Sequence, residues 1–241
     1  MKTIRIRDYN IYIDQLDKIK IDKKTVINTI NAHSYIVAKK DAEFENALVN
    51  SDILLPDGEG IVLMTKRSKG VKIKKIAGAD IHQYLLEKAQ KNKLKCFYLG
   101  ASQSTLDSIK VNQKQAYSNV RFEFYTPPFK DKFSKEDNEE MIESINGFSP
   151  DILFVGMTAP KQEKWAYQNK EFINAKVICC IGAVFDFVAE TKKRAPKWII
   201  DVKLEWLYRS LTAWRLTKRY AYSTPLFLFE IIKLKLKKER R

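Results

Sequence analysis

The chain has 241 residues, 45% hydrophobic and 30% charged, ordinary globular usage that excludes wholesale disorder. Eight Gly and seven Pro are too few for a collagenous or low-complexity chain, and no run of 18 apolar residues offers a transmembrane helix. Net charge is +15, and residues 191–241 hold 15 basic against 4 acidic residues, so +11 of it sits at one end. Such an end seeks a polyanionic partner: anionic lipid, nucleic acid or a diphosphate. The opening MKTIRIRDYN lacks the apolar core of a secretory leader. Three cysteines cannot pair completely, and Cys179 and Cys180 are neighbours in an apolar run. A cytoplasmic protein with reduced core thiols is expected.

Along the chain, short apolar runs of strand length alternate with stretches of helical spacing. Strands are expected at Asn10–Ile13, Thr25–Thr29, Ile53–Leu55, Cys96–Leu99, Val120–Phe124, Ile152–Val155 and Val177–Ile181. Helices are expected over Ala32–Val49, Ala79–Gln90 and Ser134–Ile145. The last has an acidic first turn (Glu136, Asp137, Glu139, Glu140), which suits the positive end of a helix dipole. Alternation of this kind implies parallel strands joined by crossover helices. The expected fold is therefore α/β, a mostly parallel, Rossmann-like sheet flanked by helices. LKCFYLG and DILFVG carry few polar residues, as strands covered on both faces should, and they end in Gly100 and Gly156. A glycine there either lets backbone approach a ligand at the carboxyl edge or only makes a tight turn.

From about Ala195 the strand pattern stops. Two units are expected: an α/β body over residues 1–194 and a basic helical appendage over 195–241, with Pro225 starting a last helix. On that helix Phe229, Ile232 and Leu236 share one side, while Glu230, Lys233 and Lys237 lie on another. An apolar stripe flanked by lysines fits the interface of an anionic bilayer, or packing against the body.

Several site types are missing. There is no GxGxxG, no GxxxxGK[ST] and no GxSxG, so the usual dinucleotide, nucleotide and esterase fingerprints are absent. His33 and His82 stand far apart with no cysteine pattern around them, and no Asp-x-Asp occurs. No metal and no cofactor is expected. What remains is polar residues at strand ends. Asp57, between Pro56 and Gly58 directly after the run Ile53–Leu55, suits a general base projecting into a cleft, and equally suits a plain turn. Asn31 follows the expected strand Thr25–Thr29 and could serve as a helix N-cap. Lys75–Asp80 and Ala159–Glu163 each open a helix, where free N–H groups can meet an anion.

Together the stretches TIN, LLPDGEGI, AGAD, FYLG, DILFVGMTAPKQEKW, IGAVFDFVA, KRAPKW and LEWLYR, in this order from about residue 25 to 220, resemble the WecG/TagA/CpsF glycosyltransferases, glycosyltransferase family 26. The resemblance implies an inverting, metal-independent transferase. It would move an N-acetylhexosamine-type sugar from a UDP donor to an undecaprenyl-diphosphate-linked acceptor, in surface polysaccharide synthesis at the inner face of the bacterial cytoplasmic membrane. N-acetylmannosamine, its uronic acid and glucose all fit as the donor sugar. By the same resemblance Asp57 and Thr29 are catalytic. Asn31, Gly78, Asp80, Gly100, Gly156, Gln162, Glu163, Gly182, Phe185, Asp186, Arg194, Arg209, Arg215 and Arg219 are substrate-binding. Expected partners are a UDP-sugar, a lipid-linked diphosphate glycan and an anionic membrane surface, with no nucleic acid and with a homo-oligomer left open. The chain departs from the pattern at Lys75, Thr158, Glu190 and Lys203, at Pro127-Pro128, and after LEWLYR, where Ala213-Trp214 and Leu216 replace the usual residues. The alternatives are a basic nucleic-acid-binding module, which the aliphatic interleaving of LFLFEIIKLKLKK disfavours, and a nucleotide-sugar-binding protein without activity.

Overall fold

Seven of the eight strands run parallel. In the computed structural model they form one sheet with β1, Thr3–Ile6, as an antiparallel edge. The others are β2 (Tyr9–Tyr12), β3 (Thr25–Ile30), β4 (Ile53–Pro56), β5 (Lys95–Gly100), β6 (Arg121–Tyr125), β7 (Ile152–Gly156) and β8 (Val177–Cys180). Their order across the sheet is β1-β2-β4-β3-β8-β7-β5-β6. The structure describes residues 1–191, 195–202, 204, 205, 207, 208 and 214–239, and of 197, 201, 214–216 and 237–239 the backbone alone. The helices are α1 (Ala32–Ala38), α2 (Ala42–Val49), α3 (Glu59–Lys69), α4 (Gly78–Asn92), α5 (Gln103–Ala116), α6 (Lys135–Phe148), α7 (Lys161–Asn169), α8 (Val184–Val188), α9 (Lys197–Asp201) and a C-terminal helix, Trp214–Glu239.

The expected α/β class is the one observed. Strands β7 and β8 are buried at every position because helices cover both faces, which explains why ILFVG and VICC read as continuous apolar runs. On one face Tyr98, Phe122, Phe154 and Phe185 pack with Leu85 and Leu106; on the other Phe97, Leu153 and Val155 meet Met141, Ile145 and Trp165.

Two expectations change at helix ends. The single helix expected over Ala32–Val49 is two, because Asp41 leaves helical geometry and its carboxylate accepts the Phe44 N–H at 3.1 Å, starting α2 afresh. Pro225 does not start the last helix but lies inside it. Proline there removes one donor, which would have met the Ala221 carbonyl; both residues are on the exposed side, where water can take that carbonyl. Strand β1 was not expected. Its polar alternation, TIRI, is typical of a two-stranded edge rather than of a covered strand.

The C-terminal helix packs on α1 and α3 by one face. Phe227 is 2% exposed and meets the Tyr35 ring edge-on at 5.4 Å, with Ile231 beside it. Gly60 leaves the space: a Cβ there would stand 3.1 Å from the Phe227 ring. Glu230, also buried, accepts hydrogen bonds from Arg7 at 2.7 Å and Lys39 at 2.6 Å, tying the helix to the β1–β2 turn and to the end of α1. The opposite face leaves Leu228, Phe229, Ile232 and Leu236 about half exposed. Arg194, the last residue before the expected body–appendage boundary, lies outside the described residues, as do Arg240 and Arg241.

Phe227→Ala is expected to lower unfolding free energy by about 3–5 kcal/mol, as truncating a buried phenylalanine usually does. Phe229→Ala should stay within about 0.5 kcal/mol of wild type. Urea unfolding followed by tryptophan fluorescence measures both, and equal effects would refute the packing direction.

Candidate active site

Because the strands are parallel and in register, their carboxyl ends form one edge. Ile30 pairs with Pro56, Val155 with Cys180, and Gly100 with Gly156. That edge gathers, in order across the sheet, Asp57 after β4, Thr29 and Asn31 at the end of β3, Gly182 after β8, Gly156 ending β7 and Gly100 ending β5. All were expected from sequence, and the topology brings them into one row.

At the β3–β4 end the Asp57 N–H donates to the Ile30 carbonyl at 2.9 Å, extending the strand pair by one residue. A Cβ on Gly58 would stand 3.8 Å from that of Asn31, so the two loops run side by side. Asn31 caps α1: its Oδ1 accepts the N–H groups of His33 and Ser34, each at 3.0 Å, and its own N–H donates to Ser34 Oγ at 2.7 Å. Asp57 and Thr29 are both half-buried, partly open to solvent.

The segment before α4 crosses the end of β4, where the Ile76 N–H donates to the Pro56 carbonyl at 3.0 Å. Gly78 then presses on the β8–α8 loop, its Cβ position 3.2 Å from Val184 and 3.5 Å from the Ile181 carbonyl oxygen. Asp80 accepts the Ala77 N–H at 2.8 Å, which makes it a capping residue of its own helix. Lys75 pairs with Glu205 at 2.9 Å, both mostly buried, and so ties this loop to the LEWLYR stretch.

The β7–α7 junction is the most tightly built part. A Cβ on Gly100, which has φ +131°, would lie 2.4 Å from the Gly156 carbonyl oxygen, and one on Gly156 would lie 2.4 Å from the Phe185 ring. Only glycine fits at either position. Gln162 and Glu163, in the first turn of α7, are 4% and 2% exposed. Gln162 Nε2 donates to Glu163 Oε1 at 2.9 Å, and Gly182, at φ +50°, passes the Gln162 amide with its Cβ position at 3.4 Å. Asp186 is half-buried, and its carbonyl accepts the Thr191 hydroxyl at 3.0 Å.

Among the described residues, three buried side-chain atoms along this edge have no hydrogen-bond partner: Gln162 Oε1, Glu163 Oε2 and His33 Nδ1. Leaving such atoms unpaired costs about 1–3 kcal/mol each. Burial raises the Glu163 carboxyl to about 7, opposed by the Gln162 hydrogen bond and by the positive charge of Arg219. Burial, and after it the positive charge of Arg219, lower His33 to about 4. Arg219, half-buried on the C-terminal helix, is thus the basic residue whose charge acts on both. Arg194 and Arg209 lie outside the described residues, and of Arg215 only the helical backbone is described.

His33 also stands at this edge, although no metal-binding pattern surrounds it in the sequence. The available signal was its place in the turn capped by Asn31. His82 is a core residue: it is buried, 2.7 Å from the Tyr98 hydroxyl, with its pKa lowered to about 3 by burial. Among the described residues no cluster of three or more His, Cys, Asp or Glu could hold a metal ion.

Glu163 generates a pH prediction. Its folded pKa lies above the ordinary 4.5, so its neutral form contributes stability fully below pH 4.5, and that contribution is lost as pH rises to about 7. The loss amounts to about 3 kcal/mol. Glu163→Gln should lack it, so variant-minus-wild-type stability should climb in the variant's favour across this window. Urea unfolding at pH 4.5 to 7.5 measures the difference; a flat profile would refute the buried neutral acid.

Comparison with known proteins bears on what this edge does. Residues 3–241 match the family described as the Glycosyl transferase WecG/TagA/CpsF family. The chain is similar to the N-acetylglucosaminyldiphosphoundecaprenol N-acetyl-beta-D-mannosaminyltransferase of Bacillus subtilis (strain 168), 31% identical over 225 residues, covering 92% of this chain and 85% of the relative. It is also similar to proteins of the same name from Staphylococcus aureus strains MRSA252 and NCTC 8325 / PS 47, 31% and 30% identical over 191 residues, covering 79% of this chain and 73% of each relative. Matched over residues 3–241 and 31% identical to a relative across 92% of its own length, the chain belongs to the WecG/TagA/CpsF glycosyltransferase family.

Proposed function

We propose that this glycosyltransferase moves an N-acetylmannosamine-type or related hexose from a UDP-sugar to an undecaprenyl-diphosphate-linked acceptor, with inversion. The observation that carries the reading is the set of unpartnered buried polar atoms on the carboxyl edge that also holds Asp57, together with the activity named for the relatives. Asp57 is the general base. An acceptor hydroxyl oxygen attacks the anomeric carbon while the bond from that carbon to the UDP β-phosphate oxygen breaks, and the hydroxyl proton passes to the Asp57 carboxylate. Attack from the face opposite the leaving group inverts the centre. Thr29, one strand over, holds the reacting sugar near Asp57. Asn31 anchors the turn beside them, and Asp186 binds the nucleotide end next to Phe185.

Negative charge develops on UDP as it leaves and must meet fixed positive potential. Arg219 and the N–H groups opening α7 supply it in this reading, with Arg194, Arg209 and Arg215 as further phosphate forks. Gly78, Gly100, Gly156 and Gly182 let backbone approach the donor. With no Asp-x-Asp in the sequence, these cations take the place a divalent ion would otherwise fill.

A polyprenyl acceptor brings the reaction to the bilayer surface. No helix among the described residues is long and apolar enough to cross a membrane. The C-terminal helix buries Phe227 and Ile231 against the body and turns Phe229, Ile232 and Leu236 outward beside Lys233 and Lys235. That outward face supports peripheral attachment to the cytoplasmic leaflet, where each basic residue contributes about 1 kcal/mol toward an anionic surface.

Asp57→Asn should keep UDP affinity by calorimetry while lowering turnover roughly 100-fold or more, and excess chelator should leave the wild-type rate unchanged. Turnover above half of wild type would remove Asp57 as base; loss restored by magnesium would bring a metal into the mechanism. Separately, Phe229→Ser, Ile232→Ser and Leu236→Ser combined should abolish co-sedimentation with phosphatidylglycerol vesicles and keep the wild-type melting temperature. Undiminished sedimentation would refute attachment through this face.

A further inference from the structure

The β1–β2 turn and the last turns of the C-terminal helix border a cavity of about 440 Å³, lined by Arg7, Asp8, Lys233 and Leu234. The reaction described above uses none of these residues. Charge around the cavity is unbalanced. Glu230 is buried and accepts from Arg7 at 2.7 Å and from Lys39 at 2.6 Å, so two cations share one carboxylate. Asp8, well exposed, stands 3.8 Å from Arg5. Lys233 makes no ion pair among the described residues, and its Nζ lies over the Phe229 ring, 4.5 Å from the centroid. Arg5, Arg7, Lys39 and Lys233 thus stand against Asp8 and Glu230 alone. The Arg7 side chain stays 39% exposed although it is paired, and the Glu230 bond uses one of the five donors a guanidinium carries.

Position decides the kind of anion. The β1–β2 turn precedes β2, which runs parallel to β4, so the cavity lies at the amino edge of the sheet, opposite Asp57. A substrate phosphate bound there could not react. Lys233 follows Phe229 by one helical turn, which puts the cavity beside the outward stripe of Phe229, Ile232 and Leu236, all about half exposed. A molecule with a phosphate at one end and alkyl chains at the other meets both surfaces, whereas a free phosphate meets only the cations. The surplus positive charge favours a lipid that brings no cation of its own. We propose that this cavity holds the phosphodiester of an anionic glycerophospholipid between Arg7 and Lys233, with its acyl chains along Phe229 and Ile232. This rests on the membrane-attachment reading above and adds to it a defined headgroup site.

The test titrates the full chain by calorimetry with dihexanoyl-phosphatidylglycerol kept monomeric, below its micelle-forming concentration. Wild type should bind it saturably. Lys233→Gln should weaken binding roughly tenfold or more and keep the wild-type melting temperature, because Lys233 takes no part in the Glu230 pairs. Lys235→Gln removes the same charge from the same helix outside the cavity, and should stay within about twofold of wild type. Asp8→Asn should tighten binding by about two- to fivefold, since it removes the carboxylate that lines the cavity. Inorganic phosphate should bind roughly tenfold more weakly than the lipid, or worse. Equal weakening by Lys233→Gln and Lys235→Gln would mean diffuse charge and overturn the site; phosphate binding as tightly as the lipid would overturn the lipid assignment. Wild type that co-sediments with phosphatidylglycerol vesicles but does not bind the monomeric lipid would overturn the site and leave the attachment reading standing. Wild type that fails to co-sediment would overturn that reading, and the site with it.

Discussion

Parallel pairing obliges every strand to release its backbone at the same edge of the sheet. With β4, β3, β8, β7 and β5 side by side, the residues that follow each strand converge without any long loop having to carry them there. Burial on both faces enforces this pairing. A strand such as ILFVG has no solvated side on which to slip register, since a one-residue shift would exchange its two covered faces. The site is thus a consequence of core packing rather than an addition to it.

At the β7–α7 junction that packing leaves so little room that backbone does the work of side chains. Gly100 meets the Gly156 carbonyl, and Gly156 meets the Phe185 ring. Phe185 in turn touches Tyr98 edge-on at 5.3 Å, within the main aromatic cluster. The same closeness buries Gln162 and Glu163 so completely that one oxygen of each has no partner among the described residues. Rigidity and unmet hydrogen-bonding capacity therefore arise together at this junction.

The C-terminal helix belongs to the body and to the surface at once. Its inner face supplies Phe227, Ile231 and the buried Glu230, whose charge is met by Arg7 and Lys39 and whose carboxyl they hold below the usual range against the opposing effect of burial. Its outer face is apolar and flanked by lysine. Near its start Arg219 is half-buried. A single 26-residue helix therefore connects the carboxyl-edge site with the β1–β2 turn at the other end of the sheet.

Strand and helix alternation, the capping role of Asn31, the Gly100 and Gly156 strand ends and the basic C-terminus were legible from residue pattern, because each depends on neighbours within about one turn or one strand. The break at Asp41 was not, since an apolar stripe continues across it and only the cap reveals the new start. Pro225 misled for a related reason: its local cost is met on the exposed side of a helix whose other side is held by Phe227 and Glu230. The stripe of Phe229, Ile232 and Leu236 could be drawn from helical spacing, but which face would meet the body could not. That His33 and Glu163 share the field of Arg219 was decided by the tertiary structure alone. Sequence periodicity records how a segment divides between water and core, whereas the meeting of three segments distant in the chain follows only when parallel pairing and helix packing bring their ends to one edge.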